Sequence, residues 1–247
     1  MSQATPTLSR KPAATRSFID LRRFAESPDG ATPDRSGDAY LTARRYLDLP
    51  AGPVSVGLLT LDGSEGLVGE LPGDEFIILL TGELTIACGG DPFRLTPDRS
   101  AVIPGGRSFT WRAAAGTSAL FMRYDGPVGA AAPLTIDEAG SLAPSNPPLA
   151  ELLVGPTPQC RNRTDYRSVD GEFMCGVWDS TQYYRLSMPY RHYELMHLLK
   201  GAVTFEDAAG RRATFSAGDI FLVEQGAECS WLSDVDVAKV FAIYRPT

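Results

Sequence analysis

Between residues 45 and 124 the chain alternates short apolar runs with turn residues. The run 54–61 stops at Asp62-Gly63, 75–80 at Thr81-Gly82, 84–88 at Gly89-Gly90-Asp91-Pro92, and 100–103 at Pro104-Gly105-Gly106; residues 109–111 and 118–124 close the series. Runs of this length, rich in β-branched and aromatic side chains and bounded by Gly, Pro and Asp, read as strands. Their regular spacing predicts a sandwich or barrel. The stretch 189–231 has the same pattern. Two apolar strands meet at Lys200-Gly201, a third follows Ala217-Gly218-Asp219, and Gln225-Gly226 closes it.

The two stretches are in register. Gly57 and Gly176, Glu75 and Glu194, and Gly82 and Gly201 are each 119 residues apart, while Gly106 and Gly226, and Trp111 and Trp231, are 120 apart. Like residues at a near-constant offset predict two copies of one unit. The matched glycines are expected where the backbone needs positive φ. The organisation that follows is a loose tail over 1–16, a first barrel over 17–124, a connector over 125–170 and a second barrel over 171–247. The connector is rich in Pro and Ala and is expected to lack regular elements. Ile136, Leu142, Leu152, Leu153 and Tyr166 would hold it against the surface.

Composition narrows the partners. The 247 residues are 43% hydrophobic, enough for one sizeable core or two smaller ones. Lys and Arg number 23 against 30 Asp and Glu, and the resulting net charge of −7 argues against nucleic acid or an anionic membrane as main partner. No apolar run reaches the roughly 18 residues of a membrane span, and the first residues lack a secretory core. Cys88, Cys160, Cys175 and Cys229 form no C-x-x-C pair, so reduced thiols in a cytoplasm are expected. Phosphate-binding loops, nucleophile elbows and dinucleotide fingerprints are missing from the sequence. Open barrel edges lead to the expectation of a homodimer.

Several of these residues fit a known pattern. Glu75-x6-Gly82 and Glu194-x6-Gly201 match the tail of the first cupin motif. Gly218-x5-Glu224-x-Gly226 matches the second with Glu for Pro, and Asp98-x5-Pro104-x-Gly106 matches it with Asp for the first Gly. The chain therefore resembles a bicupin, and the resemblance implies an all-β protein of two tandem jelly-roll β-barrels. The second half, with Gly176-Val177-Trp178 and residues 193–201, is similar to the group that includes ureidoglycine aminohydrolase.

The same resemblance implies positions for three His and one Glu as metal ligands. They fall on Gly69, Leu71, Glu75 and Phe109 in the first half, and on Met188, Tyr190, Glu194 and Cys229 in the second. No His stands at any of them. No cofactor is expected in the first barrel. A divalent metal in the second would draw on Glu194, His192 and Cys229. In a β conformation His192 would share a face with Glu194, a parity that a turn there would break, whereas His197, three residues on in a strand, would face the other way. The candidate catalytic residues are Glu194, His192 and Tyr190, because a buried carboxylate with a shifted pKa beside His or Tyr suits acid–base work. Tyr184, Arg185, Cys229, Trp231 and Glu75 are the candidate ligand-binding residues. Three readings stay open: an enzyme acting on a small polar or nitrogen-containing metabolite at the second barrel's mouth, a binding or sensing bicupin without catalysis, and a structural dimerisation module.

Overall fold

The computed structural model describes residues 15–27 and 37–247. Most of the expected loose tail, residues 1–14, lies outside them. The described residues fold into four antiparallel sheets that make two barrels. The first barrel pairs a six-stranded sheet, built on strands Val54–Leu61, Asp74–Thr81, Ser100–Ile103 and Thr117–Tyr124, with a four-stranded one containing Glu65–Val68 and Phe109–Ala113. The second pairs a seven-stranded sheet, built on Phe173–Ser180, Tyr193–Lys200, Ile220–Val223 and Val237–Tyr244, with a five-stranded one containing Tyr183–Pro189 and Glu228–Ser233.

The near-continuous apolar runs follow from this arrangement. A strand covered on both faces has no polar side to show. Ile77 and Leu79 point into the first barrel, while Phe76 and Ile78 point out of it. Met196 and Leu198 point into the second, and Tyr193 and Leu195 point out. The outward residues of both large sheets meet in one shared cluster, with Leu120, Met122, Val240 and Tyr244 among them. Among the described residues three apolar clusters result, one inside each barrel and one in the seam between them.

The matched glycines serve two purposes. Gly82 and Gly201 take positive φ, 77° and 81°, at the turns after the equivalent strands. Gly57 and Gly176 do not, which corrects the expectation for that pair. A neighbouring strand crosses them closely, so that an added Cβ would lie 2.4 Å from Arg45 O or 2.0 Å from Arg163 O.

The segment boundaries differ from the expected ones in two places. Strand Phe18–Asp20, expected in the first barrel, pairs with Ile220–Val223 of the second. Arg16 secures it: its Nε and Nη2 donate to Glu224 Oε1 at 3.0 and 2.8 Å, and its backbone N–H donates to Oε2 at 2.7 Å. Glu224 is the residue that stands where the cupin motif has Pro. The connector also carries strands. Leu134–Thr135 returns to the first barrel's sheet, whereas Ala143–Ser145, Leu153–Val154 and Cys160–Arg167 join the second barrel. Its prolines permit this because Pro144 sits on an edge strand, where a missing N–H costs no ladder bond.

Candidate active site in the second barrel

Strand parity selects the interior side chains. Along Tyr193–Lys200 the inward positions are Glu194, Met196 and Leu198. Opposite Met196 and Leu198, strand Val237–Tyr244 places Phe241 and Lys239. Lys239 Nζ donates to Glu194 Oε1 at 2.8 Å and lies 3.2 Å from Met196 Sδ. It also sits 4.8 Å from the ring centre of Trp178 and 5.0 Å from that of Trp231. His192 Nε2 is 3.3 Å from Glu194 Oε2, so both carboxylate oxygens have partners. A cavity of about 530 Å³ opens over this group. Tyr183, Arg185, Met188, Tyr190 and Trp231 form part of its wall, and residues 146–149 with Leu152 bring the connector across it.

Burial acts on Glu194 to raise its pKa, but the Lys239 ammonium, with His192, outweighs it and holds the carboxyl well below the usual carboxylate range. The group stays ionised at neutral pH. Burial raises the Tyr190 phenol. Arg185 is buried too. Its Nη2 donates to Tyr190 Oη at 3.2 Å and to the Cys229 carbonyl at 3.3 Å, and its Nη1 has no hydrogen-bond partner.

The first barrel treats its equivalent acid differently. Glu75 is fully buried, and Arg44 grips it with Nη1 on Oε2 at 2.5 Å and Nη2 on Oε1 at 3.0 Å. Tyr40 Oη adds a bond to Oε1 at 2.8 Å. Arg44 Cζ stacks 4.4 Å from the Phe121 ring centre. Such a bidentate pair uses the carboxylate fully.

Glu194, His192, Tyr190, Arg185 and Trp231 are thus brought together around one cavity. Tyr184 is not: it alternates with Tyr183 and Arg185 along Tyr183–Pro189 and lines an outer surface depression with Leu232 and Asp234. Cys229 packs into the apolar core, where burial pushes its thiol up to about 11. Glu75 belongs to the other barrel. His197 faces the seam, as its spacing from Glu194 predicts, and burial lowers it to about 4. Lys239 was not foreseen. Its signal is a lone charge in the apolar strand Val-Ala-Lys-Val-Phe-Ala-Ile-Tyr, at the parity that faces the barrel interior.

The donor set does not suit the metal that the cupin pattern implies. The Lys239 ammonium already lies against Glu194 Oε1, the place a cation would take, and His192 holds Oε2. The high pKa of the Cys229 thiol and the Tyr190 phenol disfavours both as anionic ligands. Among the described residues no three of His, Cys, Asp and Glu gather as a metal group.

Two barrels with equivalent central strands, each with an inward acid, define a cupin. Comparison with known families agrees. Residues 32–158, just over half of the chain, match the AraC-binding-like domain, and residues 167–241 match the EutQ-like cupin domain. The chain belongs to the AraC-binding-like family and, with its second barrel, to the cupin superfamily. A protein of unknown function of the DUF861 family from Pseudomonas syringae pv. tomato is 28% identical over 94% of both chains, with a TM-score of 0.79. Protein Ylba from E. coli (12% identity, 97% of both chains, TM-score 0.56) shares the fold. So does a protein from Pseudomonas aeruginosa described as glyoxylate-induced (12% identity, 97% of this chain and 93% of that one, TM-score 0.54). No curated protein matches the sequence. Among the described residues no helix is long and apolar enough to cross a membrane.

Proposed function

We propose that the second barrel binds a small organic molecule and that the first barrel is its scaffold. One observation carries this reading: a cavity of about 530 Å³, walled by aromatic rings, ends on a polar floor of Lys239, Glu194 and His192. Small-molecule sites have this size and combine an apolar and aromatic wall with placed polar groups. The inward acid of the first barrel is instead fully engaged by Arg44 and Tyr40.

Binding fits the electrostatics better than acid–base catalysis by Glu194. A general acid or base works best with a pKa near the working pH, and Lys239 moves Glu194 the other way. The resemblance to the ureidoglycine aminohydrolase group supports an enzymatic reading at the same cavity, in which proton transfer would fall to His192.

Tryptophan emission tests the proposal, because Trp178 and Trp231 line the cavity while Trp111 lies in the first barrel. Titration of the full chain with ureides, amino acids, sugars and organic acids is expected to give a saturable change with at least one class. That change should persist in Trp111→Phe and vanish when Trp178 and Trp231 are both Phe. No saturable response, or one unaffected by the double change, would refute the reading.

A further inference from the structure

We infer that the ligand of this cavity is a small organic monoanion, a carboxylate with a flat or apolar body, and that Arg185 is the residue that receives its charge. The inference rests on the reading of the cavity as a binding site and adds the chemical class of what it takes.

The charges around the cavity are unbalanced. Three basic side chains, Arg185, Lys239 and Arg245, stand against a single acid, Glu194, in a protein whose net charge is −7. Arg245 is exposed to solvent. Lys239 and Glu194 neutralise each other at 2.8 Å. That leaves Arg185, only 4% exposed, with no carboxylate of the described residues paired to it. Its hydrogen-bond partners are two neutral oxygens at 3.2 and 3.3 Å, its guanidinium lies 5.3 Å from the Tyr190 ring centre, and Nη1 has no hydrogen-bond partner. A buried guanidinium without an anion is costly, and a bound anion removes that cost. The first barrel shows the complete arrangement, where Arg44 holds Glu75 with both nitrogens.

The count of charges selects the valence. One uncompensated positive charge matches one negative charge, and a phosphate-type dianion would bury an excess negative charge. The planar fork of Arg fits the two oxygens of a carboxylate. Trp178, Tyr183 and Trp231 line the cavity and give the body of the molecule an aromatic wall. Nη1 is covered by its neighbours, so binding must displace one of them. Met188 is suited to this: it is a flexible side chain on the cavity wall, where the strand register breaks between Arg185 and Met188.

The test is calorimetric titration of the full chain with benzoate, phenylacetate and indole-3-acetate, each beside its own amide, and with inorganic phosphate and phthalate as dianions. At least one acid is expected to bind saturably and at least tenfold more tightly than its amide and than either dianion. Arg185→Met should weaken that acid at least tenfold, and Arg185→Lys, which keeps the charge but not the fork, by less. Amides binding as well as acids, tighter binding of phosphate or phthalate, or unchanged affinity in Arg185→Met would overturn the inference and leave the cavity a binding site. Binding of none of these compounds overturns the monoanion inference. If the broader tryptophan titration is silent as well, the underlying reading fails too. The comparison of acid with amide uses wild-type protein, so it stands even where a variant does not fold.

Discussion

Glu75 and Glu194 occupy equivalent places, and each has found its own cation. Arg44 comes from a short edge strand, Arg44–Tyr46, and Lys239 from the middle of a central strand. A buried pair of this kind is weak evidence for net stability but is expensive to break. Arg44→Met is therefore expected to destabilise the protein by about 3–5 kcal/mol, because it strands a carboxylate inside the first barrel. Arg44→Met combined with Glu75→Leu should recover most of that loss, as read by urea denaturation. Equal losses in the single and double variants would show that the pair is not what holds this interior. Both acids could be located from the sequence through the Glu-x6-Gly spacing, but their partners could not. Arg44 lies 31 residues before Glu75 and Lys239 lies 45 after Glu194, and nothing in local pattern links them. Tyr184 and Arg185 are neighbours on one strand and so cannot share a face. That much was readable; which of the two faces inward was not.

At the scale of elements, the repeat offset of 119 to 120 residues located both barrels, because turn glycines and the acid-bearing strand are local signals. The pairings that cross between halves were hidden. Strand Phe18–Asp20 covers the edge of Ile220–Val223, a connection of some two hundred residues that only tertiary structure reveals. Phe18 packs against Phe205 and Phe215, with ring centres 6.0 and 6.4 Å apart. Removing residues up to Asp20 would uncover that edge and leave Glu224, 2% exposed, without Arg16. A loss of roughly 3 kcal/mol is expected from the stranded carboxylate, and self-association is expected from the open strand edge. Urea denaturation and sedimentation would read the two effects. A truncated protein that is monomeric and as stable as the full chain would refute this account. The connector misled for a different reason. Its proline count argues against central strands, but proline falls on an edge strand, where it is tolerated, and the inner strand Cys160–Arg167 contains none.

For the whole molecule, the seam between the barrels is the largest of the three apolar clusters, and His197 lies at its margin. Arg22 bridges the two halves there, donating to Gly218 O at 2.6 Å and to Asp98 Oδ1 at 2.5 Å. Asp98 and Gly218 are equivalent positions of the repeated motif. Burial is the main cause that lowers His197, with Arg22 adding to it and Asp98 opposing. The unfolded chain therefore takes up a proton near pH 6.5 that the folded chain refuses until about pH 4. Stability should fall as pH drops through that window, by about 3 kcal/mol for a shift of this size. Glu194 acts in more acid solution, because its contribution is lost only below the ordinary glutamate range. Denaturation at stepped pH should show the decline in wild type and a shallower one in His197→Gln. The same slope in both would exclude His197 as its source.

The pairing of residues 18–20 with 220–223 also has a consequence for biosynthesis. At a translation rate of roughly 5–20 residues per second, the early segment waits on the order of ten to forty seconds for its partner to be made. The first barrel can close during that interval, but the second cannot complete its sheet. A polypeptide released before that point has nowhere to seat the early segment, so its docking reports that synthesis has passed residue 223.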